Sequence, residues 1–275
     1  MTQILSVQNL CKSFAGEPVV RSVSFAVNQA STLGIVGESG SGKTTLVRSI
    51  LRAIDPDSGT VRYLGNNLNH NGWLDLHALS QKALLPLRRE IQMIFQDPFA
   101  SLNPRMTVQE ILEEPLIIHG VGNKAERKDK VRNMLQRVHL DPAYAARFPH
   151  AFSGGQRQRI GIARALILEP RLVVCDESVS ALDVSVQAQI LDLLKTLQEE
   201  LGLTYLFVSH DLRVVQEFCD EVLVMYQGRV VDQGPVARVF TQPGHDYTRL
   251  LLSAIPSIDP DQPLQPLDRH SLDLA

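Results

Sequence analysis

The octapeptide Gly37-Glu38-Ser39-Gly40-Ser41-Gly42-Lys43-Thr44 is where residue types in this chain point most directly to chemistry. It follows the apolar run 33–36 and opens a stretch that reads as a helix from 43 to about 53. Strand, glycine-rich turn and helix in that order make a phosphate-binding loop. Gly37, Gly40 and Gly42, with Ser39 and Ser41 between them, let backbone N–H groups curl around phosphate oxygens where side chains would collide. The helix start adds partial positive charge. Lys43 is expected to bridge the outer phosphates, and the hydroxyl of Thr44, next to Thr45, to coordinate Mg2+.

Two further clusters carry chemistry. Leu172-Val173-Val174-Cys175-Asp176-Glu177 ends an apolar strand in two carboxylates, and in open α/β sheets ligands bind at such strand ends. Asp176 suits a second Mg2+ anchor, and Glu177 suits a base that orients and deprotonates an attacking water. Ser153-Gly154-Gly155-Gln156 opens a helix carrying Ile160, Ile162, Ala163, Ala165 and Leu166. Ser153 is a good N-cap and the two glycines expose backbone donors at a positive helix end, so this is a second anion site.

The elements that must hold these groups follow from periodicity. Runs 4–7, 19–27 and 33–36 read as strands, the polar stretch 66–72 as a loop, and 80–89 as helix. Thr107-Val108-Gln109-Glu110 is a capping box, and 124–138 carries Val131, Leu135 and Val138 at helical spacing. The basic residues Arg127, Lys128, Lys130 and Arg132 on that helix read as a solvated face. Residues 172–175 and 205–208 read as buried strands around an amphipathic helix that Gly202 caps. Residues 221–226 and 229–231 form a hairpin, and prolines at 260, 263 and 266 mark a tail expected to be mobile. Strands alternating with helices imply an α/β core with a parallel sheet, interrupted by an inserted helical lobe.

The three chemical clusters together resemble the ATP-binding-cassette family, of which residues 153–156 match the signature. The resemblance runs from about residue 4 to residue 255. It implies an α/β fold: a P-loop NTPase core with a mixed sheet, an antiparallel β subdomain and a helical subdomain at about 97–165, all within 1–257, followed by a tail at 258–275. It also implies ATP and Mg2+ as ligands, with Phe14 stacking on adenine, Gln96 meeting Mg2+ and sensing a membrane partner, and His210 holding the γ-phosphate beside the catalytic Glu177. Asp183 falls in the loop expected to cross a dimer interface, and Ser153, Gly154, Gly155 and Gln156 would complete the ATP site of an opposite subunit.

Residues 96–105 and 243–251 are similar to the peptide- and nickel-importer branch, in its second ATPase subunit. That similarity implies as partners a second ATPase subunit, two transmembrane permease subunits and an extracytoplasmic solute-binding protein, at the cytoplasmic side of a bacterial membrane. Two departures are visible. Ser178-Val179 stand where many relatives have Pro-Thr, and no cysteine follows Cys219, so an iron–sulfur cluster is not expected. His245, beside Tyr247, reads as structural.

Composition narrows the alternatives. With 44% apolar and 21% charged residues the chain has an ordinary globular make-up. A net charge of −3 offers no basic surface, which argues against a cassette acting on nucleic acid or ribosomes. No apolar run approaches the roughly 20 residues of a spanning helix, and no secretion signal is expected. The intact Glu177 and His210 argue against a degenerate, binding-only cassette serving an accessory role. Cys11, Cys175 and Cys219 are too scattered for a disulfide framework, and Cys175 reads as a buried inert thiol.

Overall fold

A computed structural model describes residues 2–67, 70–97, 101–179 and 182–254. The strands are β1 (Gln3–Phe14), β2 (Glu17–Asn28), β3 (Thr32–Val36), β4 (Ser58–Asn67), β5 (His70–Asp75), β6 (Ile91–Ile94), β7 (Leu172–Asp176), β8 (Thr204–Val208), β9 (Glu221–Tyr226) and β10 (Arg229–Pro235). The helices are α1 (Lys43–Ile50), α2 (Gln81–Glu90), α3 (Val108–Ile118), α4 (Lys124–Arg137), α5 (Gly154–Leu166), α6 (Val184–Leu201), α7 (Leu212–Phe218), α8 (Val236–Thr241) and α9 (Asp246–Ser253). Contacts divide the chain into two compact units: one of residues up to 64, 73–78 and from 206 onward, the other of 65–72 and 79–205.

In the first unit β1 pairs antiparallel with both β2 and β4. Its alternation buries Leu5 and Val7, then slips at a bulge where Asn9 takes φ 49°. The extra residue brings Leu10 back to the buried face, since side chains alternate with period two. β9 lies parallel to β3 and antiparallel to β10, so this sheet is mixed within the unit. All five residues of β3 are buried, as a continuous apolar run requires. Just past β8, Ser209 N donates to Ile35 O at 3.2 Å, which ties that strand end to β3.

One expectation is corrected here. Residues 66–72 were expected to form a loop, yet β4 runs to Asn67 and β5 begins at His70, in a sheet ordered β2-β1-β4-β5. An edge strand is built by backbone pairing and does not need apolar side chains, so its polar composition hid it. The proline-marked tail falls within 255–275, outside the described residues.

In the second unit β6 pairs parallel with β7, in register from Ile91↔Leu172 to Ile94↔Cys175. α3 starts at the expected capping box, with Thr107 N donating to Glu110 Oε2 at 2.7 Å. α4 has its own, in which Asn123 accepts from Glu126 N at 3.1 Å. The basic face of α4 is a surface feature: Lys130 pairs with Glu169 at 3.1 Å and Lys128 is exposed. α6 buries Ile190, Leu193, Leu194 and Leu197 and ends at Gly202 in the left-handed conformation, φ 63°, as its sequence predicts. Among the described residues no helix is long and apolar enough to cross a membrane.

Candidate nucleotide site

The glycine-rich loop lies in the first unit, between β3 and α1. Gly37 has φ 149°, and a Cβ there would lie 2.2 Å from Met225 O. Gly42 has φ 100° at the N-cap of α1, and its Cβ would meet Val19 O at 2.5 Å. Backbone presses on both positions, so only glycine fits. Lys43 is 5% exposed, and its Nζ donates to Gly37 O at 2.7 Å and to Glu38 O at 2.8 Å. An ammonium is thus held over the curl of the loop. The Ser41 Oγ is buried without a hydrogen-bond partner among the described residues, which is uncommon for a native hydroxyl and suits an anionic oxygen acceptor. Donor set, fixed cation and space around Gly40, whose Cβ position meets nothing within 4 Å among the described residues, fit a polyphosphate. Thr44 and Thr45 sit half-buried in the first turn of α1.

Phe14 ends β1 with 46% of its surface exposed. Lys12 Nζ lies 5.4 Å from its ring centroid and pairs with Asp57 Oδ1 at 2.9 Å. His210 is exposed and follows Ser209, the residue tied to β3 two positions before Gly37.

The second unit carries the acidic strand end. Asp176 is the last residue of β7 and is 5% exposed. Glu177 leaves the strand with φ 47°, a left-handed backbone that costs a non-glycine residue of order 1–3 kcal/mol. Its Oε2 accepts from Gln96 Nε2 at 3.0 Å. Two residues that the sequence assigned to one reaction from 81 positions apart therefore touch. Beside Gln96, Phe95 lies 5.8 Å below the Arg164 guanidinium, which also donates to Ser101 O. Residues 98–100 are outside the described set. Burial pushes the Cys175 thiol up to about 12, consistent with an inert core cysteine.

α5 begins at Ser153 in a complete capping box: Gln156 N donates to Ser153 Oγ at 3.3 Å and Ser153 N to Gln156 Oε1 at 3.1 Å. Gly155 is set by packing as well, since a Cβ there would fall 2.6 Å from Val186 Cγ1 on α6. Among the described residues Gly154 has only Leu182 Cδ2 within reach, at 3.9 Å. Asp183 serves as the N-cap of α6, accepting from Val186 N at 3.0 Å and Ser185 Oγ at 2.7 Å. Those donors, Val186 N–H first, hold its carboxyl below the usual range. Ser180 and Ala181 of the same loop are outside the described residues.

Sequence reasoning did not find two supports. Arg164 braces the segment around Gln96. Tyr247, fully buried on α9, accepts from Glu38 N at 2.9 Å across 209 residues of sequence. The only signal for Tyr247 was an aromatic in a segment already singled out by resemblance, and no spacing rule connects it to the loop.

A glycine-rich loop of this kind, between a wholly buried strand and a helix, marks a P-loop nucleotide-binding domain. The chain belongs to the ABC transporter family, whose profile matches residues 20–180. It is 52% identical over 264 residues to a Brucella ovis protein named for peptide import ATP binding, covering 94% of this chain and 81% of that one. It is 50% identical to the oligopeptide transport ATP-binding protein OppF of Bacillus subtilis over 88% of this chain and 77% of that protein. The glutathione import ATP-binding protein GsiA of Pectobacterium atrosepticum is 48% identical, with 88% of this chain matching 38% of that longer protein. Among solved structures, cbiO1 of Clostridium perfringens aligns with TM-score 0.77 at 29% identity, over 88% of this chain and 92% of that one. The ATP-binding cassette MJ0796, solved as a dimer bound to ADP and Pi, aligns with TM-score 0.73 at 30% identity, over 85% and 99%.

Proposed function

We propose that this chain is the ATP-hydrolysing subunit of an importer that brings peptides or a related small solute through a membrane permease. The observation that carries the hydrolytic reading is the Gln96–Glu177 hydrogen bond of 3.0 Å. It favours a working base over a binding-only cassette, because Gln96 holds the carboxylate that must meet water. The names of the relatives support peptide or glutathione uptake as the class of cargo.

Lys43 and the loop N–H groups take the charge of the outer phosphates, and Phe14 offers a ring face to the adenine. Thr44, Asp176 and Gln96 supply oxygen ligands of the kind Mg2+ prefers. A cation held by these residues would supply charge neutralisation at the phosphoryl oxygens. Glu177 orients the attacking water and receives its proton, and His210 contacts the γ-phosphate. Ser153, Gly154, Gly155 and Gln156 present the positive end of α5 to the nucleotide of a second cassette, either a copy of this chain or a paired subunit. Two permease subunits and, indirectly, a solute-binding protein complete the machine at the cytoplasmic face of the membrane. Closure of the cassettes would pass through Gln96 to the permease.

The test is Glu177→Gln, which keeps the amide–Gln96 geometry and removes the base. Nucleotide affinity is expected to stay near the wild-type value while steady-state ATP hydrolysis falls about 10²–10⁴-fold. Hydrolysis at the wild-type rate would overturn the assignment. Purification of the chain together with two hydrophobic membrane proteins tests the transport role.

A further inference from the structure

The Gly37–Glu38 peptide bond is gripped from both sides. Its carbonyl oxygen accepts from Lys43 Nζ at 2.7 Å, and its N–H donates to the hydroxyl of Tyr247 at 2.9 Å. A peptide group is planar, so fixing the N–H fixes the direction of the carbonyl. The Tyr247 ring is fully buried and stacks on Tyr226 with centroids 4.1 Å apart and planes at 32°. Tyr226 follows Met225, whose carbonyl oxygen closes the space over Gly37.

α9, which carries Tyr247, is itself tied down. Its N-cap His245 accepts from Tyr247 N through Nδ1 at 3.0 Å. Gly244 N donates to Asp232 Oδ2 at 2.6 Å, and the other oxygen of that buried carboxylate pairs with Arg238 Nη2 at 2.9 Å. A chain of short polar contacts thus runs from β10 through α9 to the loop.

We infer that Tyr247 is a positioning residue for the phosphate loop, acting through the Gly37–Glu38 peptide to set where the Lys43 ammonium stands. A flexible loop could rotate that peptide, as glycine at 37 permits, and swing the carbonyl away from Lys43. The hydroxyl of Tyr247 removes that freedom, so the cation is preorganised for the nucleotide. This inference rests on the reading of residues 37–44 as the nucleotide site and adds α9 to it.

Tyr247→Phe in the full chain deletes one hydroxyl and keeps the buried ring, so the fold is retained. The affinity for ATP, measured by titration calorimetry, is expected to fall about three- to ten-fold, the size of one lost hydrogen bond. KM for ATP should rise by the same factor with kcat little changed. The discriminating experiment repeats the substitution in a Lys43→Ala background, as a double-mutant cycle. If Tyr247 acts through Lys43, its effect on affinity vanishes there, whereas any loss of melting temperature persists. An equal loss of affinity in both backgrounds would overturn the inference, and so would no loss in either. If Lys43→Ala itself binds ATP as the wild type does, the nucleotide-site reading fails instead, and the two failures are told apart.

Discussion

Residue by residue, the chemistry of this chain is a matter of where polar groups are left without water. Lys43 is nearly sealed, and its ammonium donates to two backbone carbonyls, which offset part of the cost of burying the charge. Cys175, one residue before Asp176, shows the opposite case. Burial raises its thiol to about 12, so in the folded chain it stays neutral at any ordinary pH. The unfolded thiol ionises near its usual value of about 8.5. Its contribution to stability is therefore whole below about pH 8.5 and is lost as pH rises from there toward about 12. Iodoacetamide at pH 8 should leave Cys175 unmodified in the folded chain and label it once urea unfolds the chain, as read by mass spectrometry of peptides. Ready labelling under native conditions would contradict the buried, neutral thiol.

At the scale of elements, the capped start of α5 owes its shape to two demands. The capping box of Ser153 and Gln156 satisfies local N–H groups, which sequence alone shows. The approach of α6 is a separate demand, visible only in three dimensions. Alanine at 155 would place a methyl 2.6 Å from Val186 Cγ1, and a β-branched side chain has little freedom to yield. Overpacking of that kind costs about 1–3 kcal/mol, against a gain in helix propensity of up to about 1 kcal/mol, so the clash wins. Gly155→Ala is expected to lower Tm by about 2–6 °C. Gly154→Ala, next to Leu182 Cδ2 at 3.9 Å, should change it by no more than about 1 °C. Scanning calorimetry on the pair decides it: equal shifts would mean that α6 does not restrict the helix start.

For the whole molecule, the exposed cap at Ser153 makes sense if a second cassette brings its nucleotide to it. Hydrolysis would then release the pair by removing the anion both halves share. With Glu177→Gln slowing hydrolysis, ATP is expected to drive the chain, alone or mixed with a paired cassette, to twice its mass in light scattering, and ADP is not. The same mass in both nucleotides would count against an ATP-bridged dimer. The bond between Gln96 and Glu177 places the residue expected to sense the permease on the residue expected to do the chemistry.

Much of this was legible in the chain itself. The loop 37–44, the strand ending in Asp176-Glu177, the cap at Ser153 and the Gly202 stop are local patterns, because turn chemistry, capping and side-chain periodicity act over a few residues. What lay beyond reach depended on pairing across long separations. The polar strand β5 owes its existence to a neighbour's backbone, Gly155 to the flank of α6, and the hold of Tyr247 on the Gly37–Glu38 peptide to a fold that closes 209 residues of chain. A single sequence lists donors and acceptors, and only packing decides which of them meet.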